Sequence, residues 1–327
     1  MGSNFGKNIK LSIFGESHGH CIGAVIDGFP AGIVIDDNKI AEELARRAGG
    51  KDEFSTPRAE KDEFQIVSGI FEGHSTGAPI CVIIPNEDTR SKDYSKIKDI
   101  ARPNHADYTA FIKYSGFNDY RGGGHFSGRL TAAIVAVGSI VKQYLETKNI
   151  LVEAHVHSIG DGSDMYSQIL AAKANSDSIG GIIEVKATGV PVGFGNPMFD
   201  TVEGVLSHIL FAIPAVKGVE FGAGFDVAKM HGSQANDQLY IDDSGVQTYT
   251  NTCGGICGGI TNGMPIIARV AFKPTPSISQ KQQSINFKTM QPAEIQVEGR
   301  HDPCIVLRAV PVVEAAVAIG LLEVIHG

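Results

Sequence analysis

The stretch Arg121-Gly-Gly-Gly-His-Phe-Ser-Gly-Arg129 joins three consecutive glycines to the start of a helical pattern. Glycine has no Cβ, so this backbone can turn tightly and lets a ligand approach closely. A loop that opens a helix also presents unpaired N–H groups and the positive end of the helix dipole, which together suit an anion. We interpret it as an anion-binding loop to which Arg121, His125 and Arg129 add charge or donors, although a plain strand-to-helix turn fits the loop alone equally well. The apolar residues spaced as one helical face are Leu130, Ile134, Val137, Val141 and Leu145.

Overall composition and charge narrow the class of protein. The 327 residues include 43% hydrophobic and 20% charged residues, an ordinary balance for a soluble globular protein. The formal net charge of −8 disfavours a general attraction to nucleic acid. An anionic substrate must therefore be bound by a local concentration of Arg, Lys and His.

The cysteines and the apolar segments exclude several further classes. Five cysteines are too few and too scattered for a disulfide framework. Cys253 and Cys257 have no second pair to complete a zinc site, so we predict them to be small, buried apolar residues. The chain opens without a signal-peptide pattern, and its longest apolar run, residues 315–322, is too short to span a membrane. We predict a cytoplasmic soluble protein.

The order of local patterns predicts an α+β fold. Strands and helices come mixed rather than in strict alternation, and nothing resembles an interdomain linker or a repeat, so we expect a single large domain over residues 1–327. Residues 51–64 are predicted to be a mobile charged loop, and residues 86–108 a long polar segment that lines or covers a site. Strands are predicted at 9–14, 22–27, 65–71, 79–84, 150–158, 181–188, 217–223 and 264–272, with a further strand between Pro303 and Val310. Helices are predicted after Asp36 or Asp37, after Leu130, between 158 and 181, at 201–213 and at 310–325.

Histidines in loops are the candidates for chemistry. The imidazole group is the side chain most readily poised for proton transfer near neutral pH. Neither metal-ligand spacing, nor a nucleophile elbow, nor a dinucleotide or Walker A fingerprint is present, so we expect no metal. Residue types and spacing thus predict an enzyme that handles an anionic ligand, without naming it. The candidates are His18, His105, His125, His301 and Asp302, with Ser17 and Ser127.

Read together, the loops of this chain resemble those of the chorismate synthase family. The matching segments follow the family order from residue 5 to the C-terminus, so the resemblance covers essentially the whole chain. These segments are Phe14-Gly-Glu-Ser-His-Gly19, Ile26-Asp-Gly-Phe-Pro-Ala-Gly32, Arg102-Pro-Asn-His-Ala-Asp107, Arg121-Gly-Gly-Gly124, Ile213-Pro-Ala-Val-Lys-Gly-Val-Glu220, Gly254-Gly-Ile-Cys-Gly-Gly-Ile-Thr-Asn-Gly263, Lys273-Pro-Thr-Pro-Ser-Ile278, Gly299-Arg-His-Asp-Pro-Cys304 and Arg308-Ala-Val-Pro311.

The resemblance implies a β-α-β sandwich assembled as a homotetramer. It also implies a lyase of the shikimate pathway that converts 5-enolpyruvylshikimate 3-phosphate to chorismate. That reaction is a 1,4-anti elimination of phosphate with no net redox change, and it requires reduced FMN. The chain has no added reductase domain or dinucleotide fingerprint, so an external flavin reductant is expected rather than internal reduction with NADPH.

The resemblance also assigns roles to residues. His18 would protonate the reduced flavin or hold its charge, and His105 would act as general acid toward the departing phosphate. Asp302 would lie near the flavin, with Ser17 and Ser127 as proton relays. The implied substrate-binding residues are Arg46, Arg47, Arg58, Arg102, Arg129 and Arg308. The implied cofactor-binding residues are His125, Phe126, Ser127, Pro214, Ala215, Gly258, Asn262, Lys273, Pro274, Thr275, Pro276, Ser277 and Arg300.

The chain departs from the family pattern in its central loop. His125-Phe126-Ser127-Gly128 stands where the family has Arg-Ser-Ser-Ala, and Leu130 replaces a glutamate. His125 would then replace the arginine as a donor and add a pH dependence. Two alternatives to an active synthase follow: a flavin- or anion-binding relative with impaired catalysis, and a bifunctional form that reduces its own FMN with NADPH. The presence of His18, His105, Asp302 and Arg129 together favours an active enzyme.

Overall fold

In the computed structural model, residues 2–50, 54, 62–87, 98–243, 245–297 and 302–327 are described. The strands are β1 (Asn4–Phe5), β2 (Lys10–Gly15), β3 (Cys21–Asp27), β4 (Gln65–Ser68), β5 (Ile70–Phe71), β6 (His74–Ser75), β7 (Ile80–Pro85), β8 (Leu151–Ile159), β9 (Gly181–Thr188), β10 (Val216–Phe221), β11 (Leu239–Asp242), β12 (Gly245–Thr248), β13 (Ile256–Cys257), β14 (Ile260–Thr261), β15 (Ile266–Phe272), β16 (Gln282–Asn286) and β17 (Gln291–Ile295). The α-helices are α1 (Asp37–Arg47), α2 (Asp107–Lys113), α3 (Thr131–Glu146), α4 (Met165–Ala174), α5 (Val202–Leu210), α6 (Gly232–Ala235) and α7 (Val306–Ile325).

Two antiparallel sheets enclose a layer of helices. The first sheet has the strand order β1-β2-β3-β7-β4, and the second has the order β10-β15-β9-β8. Helix α3 packs on β3 and β7 of the first sheet, and α7 packs on β8 and β9 of the second. Helices α3 and α7 also pack on each other, flanked by α1 and α5. This sheet–helix–sheet arrangement confirms the predicted α+β class and the β-α-β sandwich.

The helix layer forms the core because its two central helices, α3 and α7, are apolar on nearly every face. Helix α3 buries residues from Thr131 to Leu145 with few exceptions, as a helix covered on all sides must. A Cβ on Gly138 would overlap Ala315 of α7, so glycine permits this close helix–helix approach. Gly138→Ala would overpack the contact and lower the free energy of unfolding by about 1–3 kcal/mol.

Most predicted elements are present, with changed boundaries. Asp36 caps α1 as predicted, and its side chain accepts a hydrogen bond from the Asn38 N–H at 2.9 Å. The strand predicted between Pro303 and Val310 is wrong, because helix α7 begins at Val306 rather than at residue 310. Pro311 therefore lies in the second turn of the helix, where its missing N–H removes one backbone hydrogen bond. Helix α5 ends at Leu210, three residues before the predicted end, and tight turns lead on to Pro214.

The described helices include none with the length and apolar character needed to cross a membrane.

Candidate active site

The triple-glycine loop passes directly over His18. Gly122, Gly123 and Gly124 have φ angles of 59°, 84° and 54°, a left-handed conformation that side chains disfavour. A Cβ on Gly122 would lie 2.5 Å from His18 Cδ2 and 2.8 Å from Ser17 Oγ. Only glycine can bring the backbone this close to the two side chains, so the loop is built around them.

The same loop also reaches a second imidazole. A Cβ on Gly123 would lie 3.4 Å from His105 Nε2 and 3.8 Å from Ser127 Cβ. His18 is 7% exposed and Ser17 is fully buried, and Ser17 Oγ has no hydrogen-bond partner within the described parts of the chain. The structure therefore brings together four of the predicted catalytic residues on the two sides of this loop.

His105 is oriented by a charged pair at the start of α2. Its Nδ1 lies 2.7 Å from Asp107 Oδ1, and Arg102 donates to the two oxygens of Asp107 from Nε and NH2, each at 2.8 Å. Burial opposes ionisation of Asp107, but the hydrogen bonds from Arg102 and His105 hold its pKa below the ordinary value. Burial lowers the pKa of His105, and the charges of Arg102 and Lys273 lower it further. The His105 imidazole is therefore neutral near pH 7, with Nδ1–H donating to Asp107.

The loop at residues 273–277 contacts the segment that carries Arg102 and Asn104. The Lys273 ammonium group donates to the Asn104 carbonyl at 2.8 Å, and Arg102 NH1 donates to Ser277 Oγ at 3.1 Å. Asn104 adopts a left-handed φ of 58°, a conformation that asparagine tolerates better than most residues, and Ala215 has a φ of 76°. The Lys273 N–H donates to the Ala215 carbonyl at 3.0 Å, so this strained backbone adjoins the loop.

A buried aspartate, Asp62, pairs with the guanidinium groups of two arginines. Asp62, 5% exposed, accepts a hydrogen bond from Arg47 NH2 at 2.8 Å and pairs closely with Arg129 NH1. Arg308 donates from Nε to the Arg47 carbonyl at 3.0 Å and from NH1 to Asp302 at 2.6 Å. Burial lowers the pKa of Arg47, and the charges of Arg308 and Arg129 lower it further. Three arginines thus converge here.

Asp302 connects this group to the loop at residues 273–277, because its carbonyl accepts a hydrogen bond from Thr275 Oγ1 at 2.8 Å. Five of the candidate catalytic residues and four of the six predicted substrate-binding arginines therefore lie in one connected network. These are Ser17, His18, His105, Ser127 and Asp302, with Arg47, Arg102, Arg129 and Arg308.

Arg46 is engaged elsewhere. Its NH1 and NH2 donate to Glu314 at 2.7 and 2.8 Å, and NH1 also donates to Glu43 at 2.7 Å. Its sequence neighbour Arg47, by contrast, is buried beside Asp62.

Several predicted cofactor-binding residues lie apart from this network. His125 Nδ1 contacts the Gly15 carbonyl at 2.8 Å, and Nε2 contacts Ser3 Oγ at 3.0 Å, so both of its ring nitrogens are engaged. Phe126 is partly exposed beside Tyr114. Gly258 and Asn262 belong to the β13–β14 hairpin, which packs near Thr201. Arg58, Arg300 and His301 lie outside the described residues.

Three site residues carry no prediction of their own. Asp62 lies at the end of a charged stretch predicted to be a mobile loop, yet it is buried, and its sequence neighbours gave no signal. Asp107 could have been found, because a carboxylate two residues after His105 at a helix start is well placed to orient the ring. Asn86 accepts a hydrogen bond from Arg129 Nε at 3.0 Å, a contact between residues distant in sequence. Among the described residues, no cluster of three or more His, Cys, Asp and Glu side chains could hold a metal ion.

Comparisons with known proteins agree over the whole length. A family model described as chorismate synthase matches residues 9–325. The chorismate synthase of Methanocaldococcus jannaschii is 46% identical over 361 residues, covering 98% of this chain and 95% of that protein. That of Chitinophaga pinensis is 47% identical over 321 residues, covering 98% of this chain and 96% of the relative. A solved crystal structure of chorismate synthase superposes with a TM-score of 0.76 and 29% identity, covering 98% of this chain and 92% of that one. This chain belongs to the chorismate synthase family.

Proposed function

We propose that this chain catalyses the 1,4-anti elimination of phosphate from 5-enolpyruvylshikimate 3-phosphate, giving chorismate, with reduced FMN as cofactor and no net redox change. The observation that carries the proposal is the pair of imidazoles, His18 and His105, on the two sides of the triple-glycine loop. Arg102 and the arginines around Asp62 supply the positive charge that such a polyanionic substrate needs.

The arginines suit the substrate chemically. Planar guanidinium groups donate paired hydrogen bonds to carboxylate and phosphate oxygens, and the substrate carries both kinds of group. Arg47 is 6% exposed, and its Nε has no hydrogen-bond partner in the described ranges. Arg47, Arg129 and Arg308 would hold the substrate anions and stabilise the charge that develops as phosphate leaves.

His105 would act as the general acid. In the ligand-free protein its lowered pKa keeps the imidazole neutral near pH 7. A phosphate dianion near Nε2 favours the protonated ring, because an opposite charge raises the pKa of a histidine. Substrate binding would therefore favour protonation of His105, which would then donate this proton to the leaving phosphate. Asp107 would keep the ring in position.

The residues around Lys273 fit a flavin. The strained Ala215 backbone, the half-buried Lys273 ammonium group and the hydroxyls of Thr275 and Ser277 form a donor-rich cradle for carbonyl and phosphate oxygens. When bound, reduced FMN supplies electron density to the allylic system and a basic nitrogen for the C6 proton. His18 would hold a proton or balance charge beside it, and the buried hydroxyl of Ser17 would relay protons.

Five further features stay predictions. The chain would function as a homotetramer in the cytoplasm, as one domain, with an external reductant that keeps FMN reduced. Phe126 and Pro214 would line the flavin site together with Asn262 and Gly258.

The decisive experiment is anaerobic turnover of 5-enolpyruvylshikimate 3-phosphate at saturating, chemically reduced FMN, followed by chorismate absorbance and phosphate release. Product with dithionite but not with NADPH is the expected result. Product with NADPH alone would identify a bifunctional enzyme that reduces its own flavin. If neither reductant gave product while FMN bound, the protein would be a binding relative without catalysis.

A further inference from the structure

Two cysteines outside the network of imidazoles and arginines face each other. Cys253 Sγ and Cys257 Sγ lie 3.6 Å apart, and the Asn262 side-chain amide lies 3.5 and 3.6 Å from the two sulfurs. The prediction that both are buried apolar residues is wrong, because Cys257 is exposed and Cys253 is only partly buried. The pair is therefore accessible to small reagents in solution.

The backbone around the pair can accommodate a shorter sulfur–sulfur distance. A disulfide needs about 2.05 Å between the sulfurs, so the two atoms must approach by about 1.5 Å. Gly254 and Gly255 separate the cysteines on one side and Gly258 and Gly259 follow on the other, with φ angles of 67°, 83°, 62° and 85°. Glycine makes small adjustments of these angles inexpensive, because it has no Cβ that could clash.

The two thiols differ in their surroundings. Burial, a hydrogen bond to Asp237 and the neighbouring Cys257 together raise the pKa of Cys253 to about 12. Asp237 is held in place by the N–H groups of Thr252 and Cys253, at 2.7 and 2.9 Å. Cys253 therefore stays protonated near neutral pH, whereas Cys257 faces solvent. Since the thiolate is the nucleophile, Cys257 is the residue that reacts first.

We propose that Cys253 and Cys257 form a reversible intramolecular disulfide by exchange with a low-molecular-weight disulfide. The Cys257 thiolate attacks one sulfur of that compound, whose S–S bond breaks and releases one small thiolate. The Cys253 thiol then loses its proton to solvent and attacks Cys257 Sγ, and the second small thiolate leaves. The cysteine pair loses two electrons and two protons, and the small disulfide is reduced to two thiols.

The other cysteines provide internal controls. Cys304 is 1% exposed, and burial raises the pKa of its thiol to about 11, so it should not react in the folded protein. Cys21 and Cys81 lie on the adjacent strands β3 and β7 and are partly buried. Burial raises the pKa of Cys81, and Cys21 adds to the effect.

The test treats the full-length protein with oxidised glutathione under native conditions and reads intact mass and non-reduced peptide maps. The wild type should lose two hydrogens and give a peptide crosslinked between Cys253 and Cys257, reversed by dithiothreitol. Cys253→Ser should retain one glutathione on Cys257, and Cys257→Ser should react at Cys253 at least roughly tenfold more slowly. Cys81→Ser should behave as wild type.

Three results would overturn the proposal. These are a stable glutathione adduct on wild-type Cys257, a crosslink that involves a different cysteine, and equal reaction rates for Cys253 and Cys257 in the two single variants. Serine replaces the thiol with nearly the same shape, so circular dichroism and melting curves should show that both variants fold. The readout measures thiols alone and is independent of the proposed reaction.

Discussion

Arg46 and Arg47 are neighbours at the end of α1, yet they belong to two different charge clusters. The Glu314 cluster consists of Glu314, Glu43, Arg46 and Lys142. Arg46 donates hydrogen bonds from NH1 and NH2 to the two oxygens of the Glu314 carboxylate. Lys142 Nζ lies 2.8 Å from both Glu314 and Glu43. The Ala154 N–H donates at 3.0 Å to Glu314 Oε1, which also accepts from Arg46 NH2. Two carboxylates and two cations neutralise one another inside the helix layer, which is what a structural network requires.

The Asp62 cluster (Asp62, Arg47, Arg129 and Arg308) lies elsewhere in the molecule. Its guanidinium groups pair with Asp62 and with Asp302 beside it. The Arg129 N–H also donates to Ser127 Oγ at 3.3 Å, so the cluster adjoins the triple-glycine loop and its two imidazoles. Arg46, paired inside the helix layer, therefore holds the fold, whereas the arginines gathered beside the imidazoles are placed to bind an anion.

The difference between the two clusters is tested most directly by replacing Arg46 and Arg47 one at a time. Arg47→Met should lower kcat/KM by roughly a thousandfold, because it deletes a donor to the substrate anion. Arg46→Met should keep kcat/KM within about threefold of wild type while lowering the free energy of unfolding by about 2 kcal/mol, because Glu314 loses one of its partners. Steady-state kinetics and denaturant unfolding measure both variants. Equal losses of kcat/KM would place Arg46 in the substrate site as the resemblance implied.

The proton-transfer side of the Asp62 cluster can be tested at His105. His105→Gln should lower kcat by roughly a hundredfold with little change in substrate affinity, because the acid is lost while the arginines remain. Binding of the substrate to wild type should take up protons near pH 7, since the lowered pKa of His105 rises beside phosphate. Calorimetry in buffers of different ionisation enthalpy measures this uptake, which should be smaller in His105→Gln. An unchanged uptake would remove His105 from the role of acid.

Asp62→Asn tests the Asp62 cluster itself, because it removes the negative charge that pairs with the buried Arg47 and Arg129. The melting temperature should fall by roughly 5 °C, as expected when a buried ion pair loses one partner. Inorganic phosphate should then raise the melting temperature of the variant by at least about 2 °C more than that of wild type, because an external anion replaces the carboxylate. Glu314→Gln is the matched control and should gain nothing from phosphate. If phosphate raised the melting temperatures of both variants equally, the Asp62 cluster would not be a specific anion-binding site.

The smallest expected effect concerns acid stability of the Glu314 cluster. Burial opposes ionisation of Glu314, but Arg46 and Lys142 hold its pKa below the ordinary value of 4.5. The ionised carboxylate therefore contributes stability above pH 4.5 that is lost as the pH falls through the lower folded-state pKa. Glu314→Gln should be less stable than wild type at pH 7, and the gap should narrow as the pH drops below 4.5. A gap that stays constant with pH would show that the charge of Glu314 contributes nothing.

Much of the fold could be predicted because the relevant signals are local. The cap at Asp36 and the helical spacing of Ile40 and Leu44 specify α1, and alternating β-branched residues specify the strands of both sheets. The loop motifs identify the family, and with it His18 and His105. The start of α7 could not be predicted in this way, because no side chain caps it and Pro311 within the helix suggests a later start.

The fold class, the family and the presence of a triple-glycine loop therefore follow from the sequence alone. The pairing of charges, by contrast, depends on tertiary packing. Adjacent arginines on a helix point about 100° apart, and their partners, Glu314 and Asp62, come from distant parts of the chain. The same holds for Cys253 and Cys257, whose thiols the hairpin turns toward each other and toward solvent. Local periodicity specifies elements, whereas charge pairing and exposure depend on long-range packing, which no short stretch of sequence encodes.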